Sequence, residues 1–172
     1  RKRTQDELQR SNELLRAVIE AAPTAIIGLD LDGNVQTVWN PAAERMLGWS
    51  APEVLGHPLP TVPAESQDEF ARFRDQIRAG LTLDGVEVRR QKRDGTPIDY
   101  CIYASPLHDV EGRISGNVAV LVDITERKRM AQEVTRLASF PMRNPQPIVE
   151  VDATGRVSFA NPAARRLFAD LD

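Results

Sequence analysis

The chain has a single cysteine, Cys101, in 172 residues. No intrachain disulfide can form, so the fold must rest on packing, and a reducing, cytoplasmic setting is expected. The two histidines, His57 and His108, lie apart beside loops. A metal site needs three or four converging ligands, so none is expected. Aromatic residues make up 5% of the chain, too few for base-stacking surfaces. A net charge of −3 gives no general attraction to phosphate backbones, and no nucleic-acid partner is expected. No apolar run approaches the ~20 residues that cross a bilayer. The opening "RKRTQDELQR" has no signal-peptide core. Phosphate-binding Gly-x-x-x-x-Gly-Lys and nucleophile-elbow Gly-x-Ser-x-Gly spacings are both missing. The carboxylates are scattered over turns and helix starts. No catalytic residue is assigned, and the chain is not expected to be an enzyme.

What is present is strong local punctuation. Residues 1–22 read as a helix in which Leu8, Asn12, Leu15 and Ile19 alternate at coiled-coil spacing. Two placements stay open: a dimeric coil through those four residues, or a helix lying on its own domain with Leu14 and Val18 widening the stripe. Pro23 ends it. Two β-prone runs then flank Asp32-Gly33, a hairpin signal. Asn40-Pro41 opens a short helix, with Asn capping and Pro at the first helical position. Ser50 and Glu53 form a capping box for a second, which ends at Gly56. "HPLPTVP" is an extended loop. A longer helix follows over "ESQDEFARFRDQIRAG", with Phe70, Phe73 and Ile77 on one face.

Three strand-like runs come next: "GVEVRRQK", "PIDYCIYASPL" and "RISGNVAVLVDI". Val118 to Val122 is apolar at every position and expects cover on both faces, the second from the N-terminal helix or another subunit. A helix begins at Asp123, paired with Glu126 as a capping box, and carries Met130, Val134 and Leu137 as far as Pro141. The hairpin pattern then returns: "NPAAERML" at Asn40 is echoed by "NPAARRLF" at Asn161. Asp30, Gly33, Val35 and Arg45 likewise find partners in Asp152, Gly155, Val157 and Arg166. The match needs one extra residue in the first copy, which predicts a β-bulge between Gly33 and Asn40.

The order β-β-α-α-α-β-β-β, with "WNPAAERMLGWSAPEVLG", "RRQKRDGTPID" and "VDITERKRM", resembles a PAS, or sensory-box, domain over about residues 23–126. The opening of a second copy runs from about 145 to 172. The resemblance implies an α+β fold: a five-stranded antiparallel sheet closed on one face by short helices. It also implies a tandem arrangement upstream of a histidine kinase, diguanylate cyclase or phosphodiesterase. Residues 1–22 and 127–140 would then be the entering coil and the linker helix. Asp123, Ile124 and Thr125 would pass strain from the last strand to that linker, a role compatible with simple capping. The histidine-kinase phosphoacceptor segment and the "GGDEF" signature are absent from these residues.

On the same template, light-sensing LOV members carry an "NCRFLQ"-like stretch where this chain reads "GHPLPTV". Cys101 lies on a late strand, so LOV flavin chemistry is not expected. The haem-ligating histidine position falls on Phe70, so that haem mode is not expected either. A noncovalent flavin or a small organic acid stays open. If there is a pocket, its wall should include Leu55, Leu59, Val62, Phe73, Ile77, Val88, Tyr100 and Ile102. The other reading is that these side chains simply fill the core.

Overall fold

The computed structural model describes residues 2–168, with side chains from residue 5. Arg1 of the expected first helix and residues 169–172 of the expected second hairpin unit lie outside the described residues. The chain divides into two compact units, Arg1–Thr125 and Glu126–Asp172.

The first unit opens with α1 (Lys2–Ala21) and the hairpin β1 (Ala25–Asp30) and β2 (Val35–Trp39). Short helices α2 (Pro41–Leu47) and α3 (Ala51–Val54) follow, then a 3-10 turn and α4 (Gln67–Arg78). Strands β3 (Leu83–Gln91), β4 (Pro97–His108) and β5 (Ile114–Asp123) complete one sheet of order β2-β1-β5-β4-β3. Its adjacent strands pair antiparallel. Alternation decides which side chains point in. On β4, Ile98, Tyr100, Ile102 and Ala104 are all buried beneath the helices. Ala43 and Leu47 of α2, Val54 of α3 and Ile77 of α4 close over them. The outer face is more open: Val118 and Val120 are half-buried, and Tyr103 and Val122 are exposed.

The predicted bulge falls in β2. Three residues of β1, Ile27 to Leu29, span five of β2, Trp39 to Val35. Thr37 takes up the excess in a left-handed conformation at φ 57°. That detour brings β2 against Gly28, where a Cβ would lie 2.6 Å from the Gln36 carbonyl oxygen. Only glycine leaves room for the crossing.

Asn40 does more than cap. Its Oδ1 accepts the amides of Ala43 and Ile26, both at 2.9 Å. Its Nδ2 donates to the carbonyls of Ile19 and Thr24, both at 3.0 Å. The Ile19 carbonyl is one of the four that a helix end leaves without an intrahelical partner. One buried amide therefore ties the end of α1, the start of β1 and the start of α2 together. Elsewhere α1 stands clear: Leu8, Leu14, Leu15 and Val18 are 57–65% exposed. It does not lie along its own domain, and it does not cover the outer sheet face.

Helix α5 (Thr125–Arg143) starts at the last residue of the first unit, and the second unit holds the rest of it, then the pair β6 (Val149–Val151) and β7 (Val157–Ala160), then α6 (Pro162–Leu167). Asn161 repeats the bonding of Asn40. Its Oδ1 accepts from Ile148 and Ala164, and its Nδ2 donates to the carbonyls of Pro141, Asn144 and Gln146. Pro141 does not end the helix as expected. It sits in the last turn of α5, where it forfeits only the bond to the carbonyl of exposed Leu137.

Asn40→Asp keeps both accepted bonds but sets a carboxylate oxygen against two carbonyls. It should destabilise the first unit by about 3 kcal/mol or more, read as a lowered urea midpoint. Asn40→Ala should cost the cap and the clamp together.

Candidate functional site

A cavity of about 40 Å³ lies between the inner sheet face and α4. Leu59, Val62, Phe73, Ile77, Tyr100 and Ile102 line it, with Ile27, Leu29, Ala119 and Leu121 from the central strands. Two expected wall residues do not. Leu55 is 43% exposed, because its backbone bridges to Val35 and turns the side chain outward. Val88 is buried in the core but does not reach the cavity.

Three polar side chains missed at the sequence level line the same cavity, Arg74, Arg90 and Asn117, beside the expected Tyr100 with its phenol. Arg90 shares its strand face with Val88 two residues earlier, and Asn117 shares one with Ala119 and Leu121. Period-two alternation carried that signal, but "RRQK" reads as a wet hairpin arm until the register is known.

Arg90 Nη2 forms an ion pair with Glu69 Oε2 at 2.7 Å, off the line of an ideal hydrogen bond. Nη1 donates to the Arg89 carbonyl at 2.9 Å. Arg74 packs over the Phe70 ring, 5.3 Å from its centroid. Its Nη1 donates to the Asp32 carbonyl at 2.6 Å, while Nε is buried without a partner. Tyr100 OH shares a 3.4 Å hydrogen bond with Thr61 Oγ1. Burial pushes the phenol above its ordinary pKa, against the Thr61 bond and the Arg90 charge.

The exit from the sheet lies next to this wall. Tyr100 faces Asp123 across β4 and β5. Its chain neighbour Asp99 holds the start of α5 by three bonds. The Asp99 carbonyl accepts Ile124 N–H at 2.9 Å and Thr125 O–H at 3.2 Å, and Asp99 N–H donates to Thr125 Oγ1 at 3.1 Å. Asp123 Oδ1 takes the Thr125 amide at 2.9 Å, and Ile124 is buried. The helix therefore starts at Thr125, two residues later than Asp123. His57 and His108 are exposed. Among the described residues no group of three or more His, Cys, Asp or Glu could hold a metal ion.

The described helices include none long and apolar enough to cross a membrane. The family model for the PAS fold matches residues 13–124, more than half of the chain. The chain belongs to the PAS family. It is similar to the signal transduction histidine-protein kinase AtoS of Escherichia coli, 31% identical over 77% of this chain. It is also similar to the probable diguanylate cyclase DgcE of the same organism, 28% identical over 80%. It spans 22% and 13% of those two proteins. Among solved structures it resembles an RNA-binding light-oxygen-voltage receptor, with TM-score 0.62 and 28% identity over 74% of this chain and 37% of that one. A PAS domain from Colwellia psychrerythraea, 21% identical with TM-score 0.58, shares the fold over 66% of this chain and 97% of its own. The PAS fold is a sensory, non-catalytic fold.

The buried phenol sets a testable titration. Ultraviolet absorbance should show one of the two tyrosines ionising late, and Tyr100→Phe should remove that phase. A raised folded-state pKa means that stability present below the unfolded value of about 10 is lost as pH rises above it. Wild type should therefore lose stability in that range more steeply than Tyr100→Phe.

Proposed function

We propose that the chain is a sensory and signal-relay module of a bacterial multidomain signalling protein, of the histidine-kinase or diguanylate-cyclase/phosphodiesterase type. It carries one PAS domain over residues 23–126 and the opening of a second from 145. The observation that carries the reading is the Thr125 latch on Asp99. A change felt by Tyr100 on the inner face needs only one residue of β4 to reach the start of α5. Asp123, Ile124 and Thr125 then transmit it, and Met130, Val134 and Leu137 re-register against a partner helix.

A homodimer through α1 fits this reading. Leu8 and Leu15 are exposed, Asn12 would set register, and Ile19 sits half-buried where Asn40 clamps the helix end. A helix of 20 residues draws most of its stability from packing of its apolar stripe, which a partner would supply here. The setting is cytoplasmic, and the output domain belongs to the parent protein.

One observation favours a second reading, a ligand-free dimerisation and relay module whose input arrives through the helices. The cavity of about 40 Å³ is far below the ~300 Å³ and more of ordinary ligand sites. A flavin or haem would require the helices to move apart. An absorption spectrum, with mass spectrometry of what denaturation releases, separates the two readings. A released cofactor would remove the second.

In the parent protein, Asp123→Ala or Thr125→Val should uncouple output from input, at a cap cost of ~1 kcal/mol for the former. Kinase or cyclase assays read the effect, and unchanged regulation would count against the relay. Sedimentation of the chain at micromolar concentration should report a dimer, and Leu15→Asp should report a monomer.

A further inference from the structure

We infer that the cavity between the sheet and α4 binds a small carboxylate anion of one or two carbons, held by Arg90 together with Arg74 and Asn117. The inference rests on the sensory reading above and names the class of ligand. Arg90 carries it. Its side chain is 2% exposed, and a guanidinium cannot shed its charge by losing a proton. A buried cation persists where acceptors surround it. Glu69 approaches Nη2 but takes no well-aimed hydrogen bond from it. In the same wall Arg74 keeps Nε buried and unpartnered. Folded interiors leave few such donors unpaired. One N–H without a partner, beside a guanidinium whose ion pair to Glu69 is poorly aligned, points to an acceptor that the chain does not itself supply.

A carboxylate matches that demand, because its two oxygens meet the guanidinium fork in one plane. Charge points the same way. Arg90 is balanced by Glu69, and half-exposed Arg74 adds a positive charge beside them that favours an anion. Size limits the rest of the molecule. A cavity of about 40 Å³ admits a ligand of only a few heavy atoms. Asn117 is buried, and its amide can serve a carboxylate oxygen, while Ala119 and Leu121 offer an apolar wall to a methyl group.

The test compares sodium acetate with sodium chloride at equal ionic strength and with acetamide, which has the shape without the charge. Melting temperature and calorimetric titration of the chain, carried through the low-millimolar range, read the result. Acetate should raise the melting temperature saturably, and acetamide should not. Arg90→Gln should weaken acetate by about tenfold or more, and Arg90→Lys, which keeps charge but not the fork, should fall between. Should Arg90→Gln fail to fold, Arg74→Gln on its half-exposed helix face should show several-fold loss. An acetate effect no larger than that of chloride, an equal effect of acetamide, or unchanged binding in the folded Gln variants would overturn the inference. If acetate fails while Thr125→Val still uncouples output, the ligand class alone falls. If Thr125→Val also leaves output unchanged, the relay reading falls with it.

Discussion

A buried primary amide cannot be left idle, and this fold is organised around that requirement. Asn40 and Asn161 each place one oxygen and one NH₂ group where a helix stops, a strand starts and another helix begins. Each of those three chain ends would otherwise bury backbone groups without partners. No other side chain offers two donors and two acceptor lone pairs in so short a reach, apart from the longer glutamine. The aspartate that also caps helices well lacks the donors. The "NPAA" phrase is therefore a junction rather than a cap, and each entering helix is fastened to its own sheet by it.

The sheet converts that fixed entrance into a directed exit. Inward residues of β4 line the cavity, and the backbone between them holds Thr125. Because neighbours on a strand face opposite ways, one peptide unit separates a side chain facing the interior from the atoms that anchor α5. The charges confined within are the unusual element. Arg90 is buried on a strand whose outward neighbours, Arg89 and Gln91, are exposed. The core tolerates it only with Glu69 close by.

Much of the architecture was legible because its signals are local. Gly33, Asn40, Pro41, the Ser50–Glu53 pair and the alternation in β4 each act through near neighbours in the chain. The bulge was legible from a comparison internal to the sequence, since one surplus residue between Gly33 and Asn40 had to go somewhere. What stayed hidden depends on contacts between distant elements. Leu55 looked like a wall residue until its bridge to Val35 turned it away. Arg90 could be told from Arg89 only by the register of β3 on β4. Pro141 looked like a stop because proline usually is one. Its carbonyl, however, is taken by Asn161, which holds the last turn of α5 in place.

The two outermost strands share a property of a different kind. On β2 the ladder breaks where Thr37 turns left-handed, and on β3 it breaks between Asp84 and Val86, with Gly85 at φ 71°. A regular sheet border offers a row of free amides and carbonyls to any passing strand, which is how soluble proteins begin to stick to one another. Kinks on both borders spoil that row. Strand-to-strand growth is thereby discouraged at either rim. A protein that must find a partner without precipitating is left to recognise it through its helices and its sheet face.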